Sequence, residues 1–413
     1  MNFLQRRFRL STAVAQFVLL VLFTTCAVAD ERPPVVLTDE AKKLHGSSLV
    51  VDGHNDLPWE IRDQGSASFT KLDISQTQPK LHTDIPRLRE GGVGAQFWSV
   101  WVPPYTADDG TALAMTLEQI ELVKVMIARY PETFELALMP KDVERIYGEG
   151  KIASMIGVEG GHCIENSIGV LRQLFNLGAR YMTLTHNDSL DWADSGTDDP
   201  KVGGLNDFGR EVVREMNRLG MLVDISHVSE KTMQDTLDVT SAPVIFSHSS
   251  ARAIADHPRN VPDAILRQLP ENGGVVMVNY YSIFVVPAAA ERGRQQLEFE
   301  AELKQQGLSG AERRTEVERW KLQNPAPAGT IHDVLDHIDH IAKVAGVDHV
   351  GLGSDYDGVT LLPVQLKDVS TYPYITQGLL DRGYSADDIR RILGGNVMRV
   401  WSDAHKAATG GRE

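Results

Sequence analysis

Short apolar runs, rich in β-branched residues, alternate with longer amphipathic segments along this chain. A run that is apolar at nearly every position indicates a strand buried on both faces, as in a parallel sheet covered by helices. The sequence has eight such runs, at residues 49–52, 94–102, 152–158, 181–184, 221–225, 244–246, 275–278 and 350–352. We therefore expect eight largely parallel strands.

The amphipathic segments between these runs predict helices, at residues 117–129, 168–177, 207–219, 229–239 and 331–345. Ser229 is a suitable N-cap, and Gly178, Gly220 and Gly346 stand where a left-handed residue ends a helix. Strands and helices that alternate in this number predict a (β/α)8 TIM-type barrel, formed by a single domain of residues 30–413. The alternative is an open doubly wound sheet, but no glycine-rich phosphate-binding turn follows the first strand.

One charged segment, residues 288–329, breaks this alternation. Residues 291–305 and 311–322 are helix-prone and flank the glycines of 307–310. The segment predicts a helical insertion after the seventh strand. A position over the barrel mouth or at a subunit contact would explain it, and a solvated charged hairpin explains its composition equally well.

The helix predicted at 331–345 carries a second group of polar side chains. Its apolar residues repeat at helical spacing, at Ile331, Val334, Leu335, Ile338 and Ile341. We therefore expect its histidines and aspartates to form a solvated helix face rather than a metal site; they are His332, Asp333, Asp336, His337, Asp339 and His340.

Barrel enzymes carry their chemistry at the C-terminal ends of the strands. Six of the eight predicted strands run directly into side chains that bind metals or transfer protons: His54, Asp56, Glu159, His186, His227, His248 and Asp355. Buried imidazoles and carboxylates are costly unless they are paired or bound to metal, and random placement would not put them all at the same end. Their shared position predicts one metal centre.

The ligand types indicate zinc. Imidazole and carboxylate ligands favour zinc over calcium or magnesium, and a set without thiolates is typical of a catalytic site. We predict two zinc ions, one bound by His54 and Asp56 and the other by His227 and His248, with Glu159 as the bridging ligand. Two such ions can share a hydroxide that attacks a carbonyl group.

Three further residues are predicted to act on the substrate. Asp355 is placed to take the proton of the nucleophile and return it to the leaving amine. His186, which has no predicted metal, is free to donate a hydrogen bond to the tetrahedral oxyanion. Arg259 suits a substrate carboxylate because of its planar fork, although a surface ion pair explains an arginine there equally well.

The composition limits the partners and the location of the protein. A net charge of −15 and a pI near 5.3 argue against nucleic-acid binding. Basic residues at the N-terminus precede an apolar run over residues 13–28, which ends in an Ala-Val-Ala sequence. This pattern predicts a signal peptide at residues 1–29, export to the periplasm or medium, and no membrane insertion after cleavage. An uncleaved membrane anchor is the alternative.

The motifs at the strand ends resemble those of the membrane dipeptidase family, also called renal dipeptidase. They are VDGHNDLP at residues 51–58, GVEGG at 157–161, LTHN at 184–187, DISH at 224–227, FSHSSAR at 246–252, HPRN at 257–260, GSDYDG at 353–358 and GGN at 394–396. The resemblance covers most of the chain after residue 49.

This resemblance implies a zinc dipeptidase with a bridging glutamate. Its substrates would carry a free amine and a free carboxylate, and would include dipeptides with a D residue at the second position. It implies substrate contacts for His186, Arg259 and Asp355, and extends them to Tyr281 and Asn396.

The chain also departs from the family pattern. Mammalian relatives use disulfides and a lipid anchor, whereas Cys163 is the only cysteine here after residue 29. A bacterial-type soluble enzyme, expected to be a homodimer, is therefore implied. Two other functions stay open: a related amidohydrolase acting on N-acyl amino acids or β-lactams, and a non-catalytic barrel that binds a metal or ligand.

Overall fold

The computed structural model describes residues 32–410, so the signal peptide predicted at 1–29 lies outside the described residues. Near-continuous apolar runs form strands as expected, and all strand pairs are parallel. The strands are β1 (Val50–Asn55), β2 (Val93–Trp101), β3 (Phe134–Leu136), β4 (Ile152–Glu159), β5 (Ala179–Thr183), β6 (Leu222–Asp224), β7 (Ile245–Phe246), β8 (Val275–Val278) and β9 (Val350–Leu352).

Eight of these strands close into a barrel. β1 pairs with β2 on one side and with β9 on the other, β2 pairs with β4, and the pairing then runs in chain order from β4 to β9. The prediction of a (β/α)8 TIM-type barrel is confirmed. The short strand β3 was not predicted; it pairs only with the first half of β4 and takes no part in the ring.

The helices of the described residues are α1 (Asp39–Gly46), α2 (Leu57–Asp63), α3 (Ile85–Glu90), α4 (Tyr105–Asp108), α5 (Ala112–Arg129), α6 (Pro140–Gly148), α7 (Ile168–Asn176), α8 (Asp207–Leu219), α9 (Glu230–Val239), α10 (Asp263–Leu266), α11 (Leu269–Asn272), α12 (Ser282–Val285), α13 (Pro287–Gln305), α14 (Gly310–Gln323), α15 (Ile331–Ala345), α16 (Tyr372–Asp381), α17 (Ala386–Arg390) and α18 (Asn396–Thr409). Helix ends follow the expected local chemistry: the Ser229 hydroxyl accepts from the Thr232 amide, and Gly220 is left-handed with φ of 75°. Between residues 32 and 410, no helix is both long and apolar enough to cross a bilayer.

Apolar side chains fill the barrel and close its N-terminal end. Phe97, Tyr181 and Met277 from three strands belong to one buried cluster, and Val400 and Trp401 of α18 join it. The rings of Phe97 and Trp401 lie 6.0 Å apart. Because this end is packed with apolar groups, the polar residues that follow the strands are left to the opposite end.

The insertion consists of two helices after β8, the seventh strand of the barrel. Helices α13 and α14 form a hairpin in which Phe299 and Trp320 stack with ring centroids 6.1 Å apart. The hairpin is tied to the loop after β5, because Lys304 donates to the Asp198 carboxylate at 2.9 Å.

The prediction that the polar residues of α15 form a solvated face is wrong for His337. This side chain is fully buried; its Nδ1 accepts from the Ala251 amide at 2.9 Å, and its Nε2 contacts the Val285 carbonyl at 3.0 Å. Helical periodicity identifies one buried face, but α15 is also contacted by α10, α12 and α16. Both contacts of His337 are satisfied only by the neutral ring with its proton on Nε2.

We predict that His337 makes stability depend on pH. Burial lowers the pKa of His337 to about 4, whereas an unfolded histidine titrates near about 6.5. The unfolded chain therefore binds a proton first, so the free energy of unfolding decreases as pH falls from about 6.5 to about 4. The replacement His337→Gln should reduce the loss between pH 7 and pH 4.5 by about 2 kcal/mol, measured by urea unfolding.

His332→Gln on the same helix is the matched control, because His332 is only partly buried and its Nε2 contacts the Pro33 carbonyl near the surface. It should leave the pH dependence of wild type unchanged. Equal pH slopes for His337→Gln and wild type would contradict the prediction.

Candidate metal centre

The five predicted metal ligands meet around the carboxylate of Glu159, at the end of β4. Its Oε1 lies 3.0 Å from His227 Nε2 and 3.4 Å from His248 Nε2, and its Oε2 lies 3.5 Å from His54 Nε2. Asp56 adds a carboxylate oxygen 3.2 Å from His54 Nε2. Each oxygen of Glu159 therefore faces a different set of imidazoles.

A hydrogen-bond chain fixes the ring of His248. The Ser247 hydroxyl donates to Asp224 Oδ2 at 2.6 Å, so its oxygen accepts from His248 Nδ1 at 2.7 Å. Asp224 also accepts from the Thr183 hydroxyl and from the amides of Ser226 and Ser247. The proton of His248 is thereby placed on Nδ1, and its Nε2 carries a lone pair toward Glu159.

His227 is oriented in the same way by an amide oxygen. Its Nδ1 lies 3.1 Å from Asn187 Oδ1, which can only accept, so the proton is on Nδ1 and Nε2 carries a lone pair. The backbone of His227 is left-handed, with φ of 68°, which is uncommon for a residue other than glycine. Such strain is typical of functional sites.

His54, on β1, is oriented by a tyrosine from β5, a strand that does not pair with β1. Its Nδ1 lies 2.8 Å from the Tyr181 hydroxyl. The ring of Tyr181 reaches this position because β4 has a glycine beside it: a Cβ on Gly157 would lie 2.0 Å from Tyr181 Cζ. The glycine thus makes room for the residue that orients a predicted ligand.

These contacts show that the side chains fit a metal. The bare Nε2 atoms of His227 and His248 lie only 2.9 Å apart, which is unfavourable for two lone pairs unless a cation lies near them. His54 Nε2 is buried and faces the oxygens of Asp56 and Glu159, at 3.2 and 3.5 Å, without a well-aligned hydrogen bond among residues 32–410. Three groups have ligand atoms within 4.8 Å of one another: His54, Glu159 and His248; Glu159, His186 and His227; and His54, Asp56 and Asp355.

The electrostatics favour a bound cation. Burial raises the pKa of the Glu159 carboxyl, but the neighbouring imidazoles, His54 foremost, outweigh it and hold the pKa well below its usual range. Burial lowers the pKa of His227 and His248 well below the ordinary value. For His54, burial acts the same way, but nearby oxygens, that of Tyr181 foremost, raise its pKa well above normal. A carboxylate beside two neutral imidazoles is the form that binds metal.

Asp355 follows β9 and lies at the same centre. Its Oδ2 accepts from the Asn279 side-chain amide at 2.8 Å, and its backbone is left-handed, with φ of 66°. Burial raises the pKa of this carboxyl to about 7, and the charges of Asp56 and Glu159 act in the same direction. The grouping of Asp355 with His54 and Asp56 also puts it within reach of a metal bound there, a contact that the sequence did not predict.

A cavity of about 1180 Å³ adjoins the centre and contains the predicted substrate contacts His186, Arg259 and Tyr281. His186 Nε2 lies 3.9 Å from Glu159 Oε1, and burial lowers the pKa of His186 to about 4. One wall of the cavity comes from α13, through residues that include Leu297 and Lys304. The inserted helices thus lie at the barrel mouth.

Arg259 is not on the surface, so the alternative of a surface ion pair is wrong. The side chain is 3% exposed, and its Nη2 donates to the His248 carbonyl at 3.4 Å. Nη1 is buried without a hydrogen-bond partner, and no acidic side chain within residues 32–410 forms an ion pair with the guanidinium. Its plane lies over the Phe284 ring at 5.1 Å. A buried, unpaired guanidinium in a cavity is suited to an anion.

Asn396 is the one predicted contact that lies elsewhere. Its side-chain amide donates to the carbonyls of Val347 and Val350, at 2.7 and 2.8 Å. Val350 begins β9, whereas Asp355 follows the other end of that strand, so Asn396 is at the opposite end of the barrel from the centre. It ties α18 to the sheet and does not contact the cavity.

The sequence reasoning missed the residues that orient the histidines. Ser247 and Asn187 are next to His248 and His186 in the chain, so adjacency to a candidate ligand was a usable signal. Asp224 is three residues before His227, so its closeness in sequence to a predicted ligand was also a usable signal. Tyr181 carried no signal, because it reads as an ordinary apolar strand residue.

Comparisons with known proteins agree with the site. The sequence model for "Membrane dipeptidase (Peptidase family M19)" matches residues 38–412. The structure of the probable dipeptidase PvdM from Pseudomonas aeruginosa aligns with a TM-score of 0.78 at 24% identity, over 89% of this chain and 98% of that one. A metallo peptidase from Rhodobacter sphaeroides, liganded with a phosphinate mimic of the dipeptide L-Ala-D-Ala, aligns with a TM-score of 0.71 at 22% identity, over 87% and 100%. At these identities the two structures support the fold.

We predict that the Tyr181 hydroxyl tunes metal affinity. Tyr181→Phe keeps the ring but removes the contact to His54 Nδ1, and losing such an outer contact weakens metal binding by about 10- to 100-fold. Competition with a chelating dye would measure the change. Tyr280→Phe is the matched control, because the Tyr280 hydroxyl is buried without a hydrogen-bond partner among the described residues. Equal metal affinity in the two variants would contradict the prediction.

Proposed function

The chain belongs to the membrane dipeptidase family, peptidase family M19, and on that basis we propose that it hydrolyses the peptide bond of dipeptides at the centre around Glu159. The observation that carries the proposal is the position of Glu159, which presents one oxygen to His227 and His248 and the other to His54. The buried Arg259 in the adjoining cavity supplies a site for the substrate carboxylate.

Two zinc ions are the proposed cofactors. His54 and Asp56 would hold one, His227 and His248 the other, and Glu159 would bridge them; imidazole and carboxylate ligands without thiolates favour zinc. When bound, the ions would lower the pKa of a water molecule and polarise the carbonyl of the substrate.

Asp355 is the proposed proton carrier. It is grouped with His54 and Asp56 within 4.8 Å, and the Asn279 amide holds one of its oxygens. A carboxylate fixed at this point can accept a proton from the attacking water and deliver it to the leaving amine.

Arg259, His186 and Tyr281 are proposed to bind the dipeptide. Arg259 pairs with the free carboxylate through its unpaired Nη1, and Tyr281 lies in the same cavity. His186 Nε2 donates to the oxygen that becomes negative in the transition state. We propose acceptance of L,L and also L,D dipeptides, supported by the Rhodobacter sphaeroides relative whose ligand mimics L-Ala-D-Ala.

Hydrolysis of a matched substrate panel tests this function. Zinc-loaded protein should cleave L,L and L,D dipeptides, lose activity on chelation and regain it with about two zinc ions per chain. Asp355→Asn should reduce kcat by about 10²- to 10⁴-fold while retaining zinc, because it keeps the shape but not the proton acceptor. Zinc-loaded protein that cleaves no dipeptide would refute the proposal, and a requirement for an N-acylated substrate would favour the amidohydrolase alternative.

We predict that Arg259 selects for the free carboxylate. Arg259→Met should raise KM for a dipeptide by about 10- to 100-fold, the loss expected for a charge-assisted hydrogen bond. The C-terminally amidated dipeptide, which wild type should bind poorly, should show little change. Steady-state kinetics on the two substrates measure both effects.

Arg267→Met is the matched control, because that guanidinium lies eight residues along the chain, is exposed, and pairs with Asp263 at 3.5 Å. It should leave KM for the dipeptide unchanged. If Arg259→Met raised KM equally for the dipeptide with a free carboxylate and for the amidated dipeptide, Arg259 would not recognise the carboxylate.

Export and dimerisation are part of the proposal. Cleavage after residue 29, with release to the periplasm or medium, stays a prediction that N-terminal sequencing of the exported protein would test. The homodimer is tested by light scattering during gel filtration.

A further inference from the structure

Trp101, the last residue of β2, contacts His186 at the edge of the cavity. It pairs in register with Glu159 of the neighbouring strand β4, which puts its side chain beside the centre. The indole Nε1 donates to His186 Nδ1 at 3.4 Å, and the two rings lie edge to face with centroids 5.6 Å apart. Trp59 also packs edge to face against the indole, with ring centroids 4.5 Å apart.

This hydrogen bond determines where His186 carries its proton. An indole N–H can only donate, so His186 Nδ1 must accept and cannot itself hold a proton. Neither the doubly protonated ring nor the form protonated on Nδ1 satisfies the contact. The proton is therefore on Nε2, the atom that lies 3.9 Å from Glu159 Oε1.

The neighbouring histidines are in the opposite state. His227, whose ring centroid lies 4.5 Å from that of His186, has an oxygen acceptor at Nδ1, and so does His248. Acceptors at Nδ1 leave a metal-binding lone pair on Nε2, whereas the donor Trp101 leaves an N–H there. The hydrogen-bond partner of Nδ1 thus distinguishes the two kinds of histidine: an acceptor there leaves Nε2 free to bind metal, and a donor there leaves Nε2 protonated.

We propose that Trp101 is a positioning residue that fixes His186 with its proton on Nε2, so that His186 donates to the substrate oxygen instead of binding metal. This proposal rests on the proposed dipeptide hydrolysis for its kinetic consequence. The position of the proton itself follows from the contact with Trp101 alone.

Nitrogen-15 NMR of histidine-labelled, zinc-loaded protein measures that position directly. His186 is assigned by comparison with His186→Gln. In wild type its Nε2 should be protonated and its Nδ1 bare, and in Trp101→Phe the proton should distribute over both nitrogens. An unchanged His186 signal in Trp101→Phe overturns the proposal.

Kinetics test the consequence. Trp101→Phe should lower kcat by about tenfold with little change in KM, since part of a donor worth about 10²- to 10³-fold is lost only in the transition state. In the His186→Gln background, Trp101→Phe should have no further effect. Additive effects of the two substitutions would show that Trp101 does not act through His186.

Trp98→Phe is the matched control on the same strand. The Trp98 indole donates to the Ser154 hydroxyl at 2.9 Å, so the substitution removes an equivalent hydrogen bond away from the cavity. It should lower stability while leaving the His186 signal and kcat as in wild type; a shifted signal would count against a specific role for Trp101.

Wild-type protein without dipeptidase activity would refute the proposed function, and the NMR comparison would still decide the position of the proton.

Discussion

The carboxylate of Glu159 is buried at the end of β4, where histidines at the ends of three other strands face its two oxygens. Removing a charge from water costs several kcal/mol unless nearby groups compensate. Here the imidazoles provide that compensation, and a metal held by them would add to it. The barrel must therefore keep these strand ends in register, because a shift of any one strand would remove one of the imidazoles that face the carboxylate.

A second, fully buried set of hydrogen bonds maintains that register. Asp224 accepts from Thr183 on β5 and from Ser247 after β7, so one side chain at the end of β6 joins three adjacent strands. Asp52 on β1 accepts from Ser354, which follows the adjacent strand β9, and from Tyr372 of α16. Asp224 accepts from the Ser226 amide and Asp52 from the Ser354 amide, so each carboxylate holds the residue that precedes a left-handed position, His227 or Asp355.

The barrel and most of the centre were predictable from the sequence because parallel strands converge at one end. That topology turns a local pattern, an apolar run followed by a polar residue, into a statement about proximity in space, and the structure brings His54, Glu159, His227 and His248 together. The orienting residues were not predictable in this way. The Tyr181 ring occupies the space beside Gly157 on the adjacent strand. A fit of this kind between two strands does not change the sequence spacing of apolar and polar residues in either strand, so it could not be predicted.

Two errors have physical reasons of the same kind. Asn396 was included because its motif resembles that of the family. Its side-chain amide instead donates to backbone carbonyls and attaches α18 to the barrel, a role that the fold requires whatever the reaction. His337 lies on a helix covered from several directions, where an imidazole that satisfies two backbone groups is as well accommodated as an apolar side chain. Local sequence does not distinguish a histidine that supports the backbone from one that binds a ligand.

The bare nitrogens of His227 and His248 have a consequence for how long the protein persists. Cys163 is buried and reduced, so within residues 32–410 no covalent link joins distant parts of the chain. Metal ions held by residues between His54 and His248 would serve as that link, and an ion that binds only the folded state adds stability in proportion to the logarithm of its free concentration. Supply of the metal would thus govern resistance to proteolysis, and the abundance of the protein would follow the metal content of its surroundings.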